Sequence, residues 1–408
     1  MIYGSNGNSG YKMNYIWQHK QWPNFVYDSE KLSALAYQYA KQTAKLSGSL
    51  LQTDLDDALT AQLDLMVDEA INTSLIEGEN LNPASVRSSL QNYLNLTPTP
   101  INVADAKAEG LAALIVDVRK NFHKPLSKEL LFNWHQMVLV GVEDSILNSD
   151  LTVGQWRNSP ESMQIISGPI GYERVHYQAP DSKDLNQLMT DFLTWFNDSF
   201  TDNPTSQPIP GVIRAGIAHL WFEVIHPFDD GNGRIGRAII EYALAQDLGA
   251  PVVLSMSTHI EKNRKEYYQQ LNQASCIDVS ELNDSSALDI TPWLIWFIET
   301  LIAAQADAEN KMEVIFQKTQ FWQCHKDTDL SARQTAALNK IFKAGKEGFP
   351  NGISAQKYSA LAKCAKATAT RDLGDLVSKG CLKVEGIGRG IRYVINLQLT
   401  KAADFYRK

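Results

Sequence analysis

The sequence has 408 residues, a net charge of −8, and 44% hydrophobic and 21% charged residues. This length is too great for one compact core and predicts two or three domains of an ordinary globular protein. There is no apolar run of about 18 residues and no basic segment leading into an apolar one near the start, so we expect neither a membrane partner nor a secretory signal.

The charge is divided unevenly along the chain. Residues 331–408 contain 15 Lys and Arg and 5 Asp and Glu, a net charge of +10, so the remaining residues, with 23 basic and 41 acidic side chains, carry −18. This asymmetry predicts a separate C-terminal module with its own kind of partner. The four cysteines include no CxxC pair, so we expect reduced thiols in a cytoplasmic protein and no structural zinc.

The N-terminal part is predicted to be helical after a loose start. Residues 1–12, rich in Gly, Ser and Asn, predict a disordered tail, and residues 13–100 predict a helical domain that opens with an aromatic cluster. Apolar residues at helical spacing run from about 54 to 76, and Gly78 suits the left-handed position that follows a helix.

Residues 101–310 predict a second helical domain with one break. Two short β-prone runs, at 165–166 and 175–177, flank a Gly/Pro turn at 168–171, which predicts a hairpin. The surrounding helices offer this hairpin no sheet to join, so we expect it to have a functional role.

Residues 325–400 predict a third module. Helices at about 354–363 and 366–379 precede two β-prone runs around a Gly-rich turn, the order of a winged helix-turn-helix. A recognition helix would meet DNA through its first residues, here Lys366, Thr368, Thr370 and Arg371. Winged helices also dock proteins, so DNA and protein partners both stay open.

The segment that predicts chemistry is residues 226–237, His-Pro-Phe-Asp-Asp-Gly-Asn-Gly-Arg-Ile-Gly-Arg, between two predicted helices. Glycines at a helix start allow close approach of an anion to free backbone N–H groups, which makes 231–233 a phosphate cradle. A carboxylate beside the cradle can hold Mg²⁺, two arginines on one helix face can clamp phosphate, and a histidine can accept a proton from a hydroxyl. These residues are Asp230, Arg234, Arg237 and His226.

The twelve residues match the Fic-family signature at every defined position, and the resemblance covers about residues 100–305. Gly154-Gln155-Trp156-Arg157 is similar to the segment before the family's flap. The flap hairpin itself, which would dock a target segment, would include Ile165, Ile166, Val175 and Tyr177. The resemblance implies a mainly α fold: a Fic-type helical core with a β-hairpin flap, an N-terminal helical domain and a C-terminal winged helix-turn-helix.

The resemblance also implies residue roles. His226 would be the general base, Asp230 would hold Mg²⁺, Arg234 would hold the phosphate chain and Arg237 the γ-phosphate of ATP. Backbone amides would cradle phosphate at Gly231, Asn232 and Gly233, with the Asn232 side chain helping. AMP would pass to a Ser, Thr or Tyr hydroxyl of a target protein or of the chain itself, since the kinase-like Doc branch has Lys where Gly233 stands. Tyr267 and Tyr268 lie where the family lines its adenine pocket, although core packing would explain them equally well.

Residues 73–78, Thr-Ser-Leu-Ile-Glu-Gly, match the family's inhibitory motif. Glu77 would pair with Arg237 and take the place of the γ-phosphate, which predicts an autoinhibited enzyme. Two alternatives stay open: removal of AMP at the same site, and a DNA-binding regulator that modifies itself. Other nucleotide donors, such as UTP or CDP-choline, and a homodimer also stay open.

Overall fold

The structure, a computed structural model, describes residues 14–51, 55–141, 151–160, 162–167, 174–200, 209–277, 287–349 and 352–397. The tail predicted for residues 1–12 lies outside this range. The helices are, in chain order, α1 (Ser29–Leu51), α2 (Leu55–Ile76), α3 (Pro83–Tyr93), α4 (Ala106–Asn121), α5 (Lys128–Val138), α6 (Leu185–Asp198), α7 (Gly211–Ile225), α8 (Asn232–Leu248), α9 (Met256–Lys262), α10 (Arg264–Ser275), α11 (Thr291–Cys324), α12 (Ala332–Gly348), α13 (Ala355–Ala362) and α14 (Lys366–Ser378).

The strands are short and form two-stranded sheets. They are β1 (Asn14–Tyr15), β2 (Phe25–Val26), β3 (Gln164–Ser167), β4 (Arg174–Gln178), β5 (Cys276–Ile277), β6 (Leu288–Asp289), β7 (Leu382–Glu385) and β8 (Arg392–Ile395). Three pairs are antiparallel, β1 with β5, β3 with β4 and β7 with β8, whereas β2 and β6 are parallel. The chain is therefore mainly helical, as the sequence predicts.

The described residues divide into two compact units. The first contains residues 14–51 and 62–308, and the second contains residues 55–61 and 309–397. Within the first unit, a single hydrophobic core extends from Tyr15 to Ala308. The regions predicted at 13–100 and 101–310 share this core. At its centre lies α7, in which every residue is buried.

The aromatic residues near the start belong to this core. Trp22 and Phe25 make edge-to-face contacts with Trp221 of α7, with ring centroids 6.0 and 5.8 Å apart. Aromatic pairs at such distances and angles contribute beyond the area that they bury. The two-residue strands that join this segment to residues 276–289 were not predicted, because so short a strand has no periodicity.

The second unit contains the elements predicted for residues 325–400, in the predicted order. Helices α13 and α14 are followed by the β7–β8 hairpin, and Ile353 forms an additional antiparallel bridge with Tyr393. A separate core packs Phe321, Leu338 and Tyr358 with residues of α14. Arg333 donates to both carboxylate oxygens of Asp372, at 2.7 and 2.9 Å, which fixes α12 to α14.

Two sequence expectations concern single features of the chain. All four cysteines are free thiols in this structure. None of the helices among the described residues is both long and apolar enough to cross a bilayer.

Candidate functional site

The loop between α7 and α8 begins with a strained residue that is held from several sides. His226 ends α7 in the left-handed region, with φ 50° and ψ 61°, and its N–H donates to Phe222 O at 2.9 Å. A non-glycine residue adopts this conformation only where the surroundings impose it. The surroundings include Arg157, whose Nε donates to His226 O at 2.8 Å and whose N–H donates to Pro227 O at 2.9 Å.

The imidazole of His226 is buried and keeps one nitrogen available. Nδ1 lies 3.4 Å from the carbonyl oxygen of Glu223, which can only accept, so the proton belongs on Nδ1. Nε2 is buried without a hydrogen-bond partner among the described residues. Burial, and next the positive charge of Arg157, lower the pKa of His226 to about 4. The imidazole is therefore neutral near pH 7 and able to accept a proton at Nε2.

Glu223, one turn before His226, is a buried acid that the sequence analysis missed. Its Oε2 lies 3.9 Å from His226 Nδ1, and burial raises the pKa of its carboxyl to about 8, although Arg237 opposes the shift. The carboxyl is therefore neutral near pH 7 and does not stabilise a protonated His226 imidazole. The signal in the sequence was a single acid within the otherwise largely apolar segment that forms α7.

The Asn232 side chain holds the loop together. Its Oδ1 accepts from Phe228 N at 3.0 Å, and its Nδ2 donates to Phe228 O at 2.8 Å. Both ends of the amide are thus engaged with the loop backbone. The amide NH2 has a second hydrogen, so the expected contact of this side chain with phosphate stays a prediction. Phe228 is fully buried and fixes the loop in the core.

His135 of α5 supports the same loop and was not predicted. Its Nδ1 accepts from Gly154 N at 3.0 Å, so its Nε2 carries the proton and donates to Asp230 O at 3.1 Å. Its ring stacks on Phe228 with centroids 4.0 Å apart. The contact could not be predicted from a local pattern, because His135 and Asp230 are 95 residues apart in the sequence.

The start of α8 is the place where the sequence predicts an anion cradle. Gly231 has φ 85° and caps the helix, and no side chain caps its first turn. A helix start of this kind presents unpaired N–H groups and a partial positive charge. Gly233 lies in this turn, and a side chain here would collide with the carboxylate of Glu77. An acidic group already lies over the cradle.

The contact between Glu77 and Arg237 has the predicted geometry. Arg237 NH2 donates to Glu77 Oε1 at 2.8 Å, and Arg237 also donates to the side chain and carbonyl of Thr73, at 2.6 and 2.9 Å. The Arg237 side chain is 2% exposed, whereas that of Glu77 is 21% exposed. The cation is therefore fixed in the protein, and the carboxylate lies on the side that solvent reaches.

Arg234 has two acidic neighbours, one of them unforeseen. Its NH1 donates to Glu79 Oε2 at 2.6 Å, and its NH2 lies 3.6 Å from Asp230 Oδ2. Glu79 Oε1 also accepts from Lys107 Nζ at 2.7 Å. Both arginines of the motif are thus paired with carboxylates from the segment that follows α2.

The two predicted adenine-pocket tyrosines have different environments. Tyr267 is 1% exposed, and its hydroxyl lies 3.0 Å from His219 Nε2, so it packs behind the site and has no surface to offer a nucleotide. Its assignment to the pocket is corrected accordingly. Tyr268 is 40% exposed and donates to Ile76 O at 3.3 Å, which connects it with the end of α2.

The predicted hairpin is formed by β3 and β4. Its tip and the side chain of Ile166 lie outside what the structure describes. Ile165 and Val175 are partly buried, whereas Tyr177 is buried and donates to Val224 O, so Tyr177 anchors the hairpin and does not face a target. Two carbonyl oxygens of β4 accept from Asn272 and Trp17, at 3.0 and 2.9 Å. Since β3 pairs only with β4 among the described strands, the second edge of β3 is the one available for a target.

Asp230 is the acid that fits a metal ion brought in by phosphates. Its side chain is 37% exposed, and its Oδ1 accepts from Gly231 N at 2.7 Å. No group of three or more ligand side chains occurs within the described ranges. A single accessible carboxylate next to a phosphate cradle suits Mg²⁺, which commonly keeps water and phosphate oxygens as its other ligands.

The segment that carries this geometry matches a known family. A family model described as "Fic/DOC family" matches residues 125–244, and one described as "Domain of unknown function (DUF4172)" matches residues 15–96. The predicted family resemblance is thereby confirmed. The winged-helix description of residues 325–400 stays a prediction.

Curated relatives share part of the chain. Over 93 residues, 23% of this chain and 16% of the relative, the sequence is 36% identical to protein adenylyltransferase fic-1 of Caenorhabditis elegans. Over 100 residues, 24% of this chain and 21% of the relative, it is 32% identical to protein adenylyltransferase Fic of Nematostella vectensis. The chain thus covers about a fifth of the length of these relatives. A Fic-domain-containing signalling protein from Bacteroides thetaiotaomicron gives a TM-score of 0.49 at 19% identity, over 68% of this chain and 97% of that one.

Proposed function

We propose that the chain, whose residues 125–244 match the Fic/DOC family model, transfers AMP from ATP to a hydroxyl group of a protein. Two observations carry the proposal: the pairing of Glu77 with Arg237 over Gly233, and the available Nε2 of His226. A carboxylate held on a helix start by an arginine marks a place built for phosphate.

The chemistry follows from the neutral, buried imidazole. His226 accepts the proton of a Ser, Thr or Tyr hydroxyl at Nε2 while the hydroxyl oxygen bonds to the α-phosphorus of ATP. The bond between the α-phosphorus and the bridging oxygen breaks, and pyrophosphate leaves. The rate gain comes mainly from positioning these groups and from compensating negative charge.

The phosphates lie on the cradle in this proposal. Backbone N–H groups at Asn232 and Gly233 and the guanidinium groups of Arg234 and Arg237 bind the triphosphate, whereas the N–H of Gly231 donates to Asp230 Oδ1 in this structure. Asp230 would hold Mg²⁺, which would supply positive charge to the phosphate oxygens. Gly233 has no side chain that would crowd the nucleotide, which supports AMP transfer over the phosphate transfer of the Doc branch.

Autoinhibition follows from competition for one cation. Glu77 occupies Arg237, so the γ-phosphate has to displace a carboxylate that the same guanidinium already binds. Thr73 keeps Arg237 in place through two hydrogen bonds, so the cation stays fixed when the carboxylate leaves.

The target segment would pair with β3. An extended peptide added to the available edge makes main-chain hydrogen bonds that do not depend on its sequence and thereby aligns its hydroxyl. Ile165, partly buried on this strand, offers an apolar contact.

The test is labelling of protein with α-labelled ATP by the wild-type chain, Glu77→Gly, His226→Ala and the control Glu109→Gln. Glu109 is an exposed acid on α4 and belongs to neither the 226–237 motif nor the 73–78 motif. We expect Glu77→Gly to label at least about tenfold faster than wild type, because γ-phosphate binding gains a charged hydrogen-bond partner. The control should equal wild type, and His226→Ala should lose labelling.

Labelling by His226→Ala at the rate of wild type would overturn the proposal, and unchanged labelling by Glu77→Gly would reject autoinhibition. The reverse reaction has its own signature. If the wild-type chain releases AMP from protein labelled beforehand and Glu77→Gly does not, then Glu77 serves AMP removal.

We further propose that residues 325–400 contact duplex DNA. Lys366, Thr370 and Arg371 are exposed at the start of α14, where a recognition helix meets its groove, and the segment 331–408 carries a net charge of +10.

A further inference from the structure

The inference concerns Glu79, two residues beyond Glu77. Its carboxylate bridges two cations: Oε2 accepts from Arg234 NH1 at 2.6 Å, and Oε1 accepts from Lys107 Nζ at 2.7 Å. The side chain of Arg234 is 5% exposed and that of Glu79 is 24% exposed. As with Glu77 and Arg237, the cation is enclosed by protein and the carboxylate lies where a ligand can displace it.

The end of α2 presents both carboxylates together. Gly78 has φ 82°, its N–H donates to Leu75 O at 2.9 Å, and the N–H of Glu79 donates to Ser74 O at 2.9 Å. This pair of hydrogen bonds is a Schellman motif, which fixes the chain immediately after a helix. Glu77 and Glu79 therefore flank one left-handed glycine and face two arginines that are a single turn apart on α8.

Resting on the proposed function, we propose that Glu79 is a second carboxylate in the polyphosphate site and that it determines which nucleotides the resting chain binds. Glu77 takes the place of the γ-phosphate on Arg237. Glu79 takes the place of the preceding phosphate on Arg234. A nucleoside diphosphate thus competes only with Glu79, whereas a triphosphate competes with both glutamates.

The roles of the two glutamates can be distinguished by measuring how ADP and ATP bind to variants. Loss of Glu79 frees Arg234 and strengthens the binding of ADP and ATP by similar factors. Loss of Glu77 frees Arg237 and strengthens the binding of ATP alone. For one charged hydrogen bond, the expected change in Kd is about tenfold.

The experiment is calorimetric titration of the full chain with ADP and with ATP, both with Mg²⁺. The variants are Glu79→Gln, which keeps the size of the side chain, Glu79→Asp, Glu77→Gly and the control Glu109→Gln. We expect Glu79→Gln to lower both Kd values, Glu77→Gly to lower only that of ATP, and the control to change neither. Glu79→Asp, too short to span both cations, should be intermediate for ADP.

An unchanged or raised Kd of ADP in Glu79→Gln would overturn the inference. So would a variant Glu77→Gly that gains ADP affinity equally, because the two glutamates would then act on the same phosphate. If the ATP results for Glu77→Gly hold and only the ADP results fail, the proposed function survives and the role of Glu79 does not. If no variant binds either nucleotide, both fall.

The double variant Glu77→Gly/Glu79→Gln gives a kinetic readout that simple loss of structure would not produce. Compared with Glu77→Gly, its KM for ATP should fall by about tenfold at an unchanged kcat, because Glu79 opposes binding and takes no part in the transfer. An equal KM in the two variants would contradict the inference.

Discussion

The pKa of His226, lowered to about 4 by burial and by Arg157, predicts an unusual pH dependence. A base has to be neutral to accept a proton, so transfer is present above the pKa and is lost as the pH falls through it. With saturating ATP, kcat of Glu77→Gly should stay nearly constant from pH 7.5 to about 5.5, where an ordinary histidine of pKa about 6.5 would have lost most of its activity. A profile that falls with a midpoint near 6.5 would show that the imidazole is not buried in the active state.

For single residues, the sequence predicted those of the motif but not the residues that they contact. Spacing alone indicated His226, Asp230 and the two arginines, because the cradle and its cations lie within one short segment. Glu79 meets Arg234 across 155 positions, and His135 meets the loop across 95. Such contacts depend on how helices pack, which no local pattern contains. The bonds of the Asn232 side chain to the backbone of Phe228, only four residues away, likewise appear only in the folded loop.

The Schellman motif at the end of α2 predicts that one glycine controls both carboxylates. Gly78 has φ 82°, and an added Cβ would meet no atom within 4 Å, so Gly78→Ala creates no collision and acts through the backbone alone. An alanine at this φ costs about 1 kcal/mol, which loosens the turn that holds Glu77 and Glu79. We expect Gly78→Ala to increase AMP transfer severalfold.

The matched control is Gly48→Ala. Gly48 lies inside α1, has no positive φ, and an added Cβ there also meets nothing within 4 Å. This variant should leave AMP transfer at the level of wild type. If Gly78→Ala lowers Tm without raising transfer, the turn stabilises the fold but does not hold the site closed.

Elements with a strong period were predicted, and those without one were not. The helix expected at about 54–76 is α2, Leu55–Ile76, and the helices expected at 354–363 and 366–379 are α13 and α14. Strands β1, β2, β5 and β6 have two residues each, too few to show alternation. The exposed hairpin edge was predicted, but not which strand provides it. The side chains of Asn272 and Trp17 donate hydrogen bonds to carbonyl oxygens of β4, which leaves the edge of β3.

The charge of the whole molecule leads to the last prediction. Residues 331–408 carry a net charge of +10 within a chain whose total is −8, so nonspecific attraction of the whole chain to DNA is weak and binding has to be local. Several basic side chains of the second unit are already paired, such as Arg333 with Asp372 and Lys379 with Asp375. Lys366 and Arg371 at the start of α14 are exposed.

We therefore expect the intact chain to bind a fluorescent DNA duplex at low salt, with log K falling linearly with log salt at a slope of about −0.9 for each phosphate contact. The double variant Lys366→Glu/Arg371→Glu should weaken binding by at least about tenfold and reduce the slope by about two contacts, because each residue neutralises one phosphate. Lys41→Glu, a charge reversal at an exposed lysine of α1, should change neither. If the intact chain fails to bind duplex even at low salt, α14 is not a DNA-reading helix, and its exposed face would have to meet a protein.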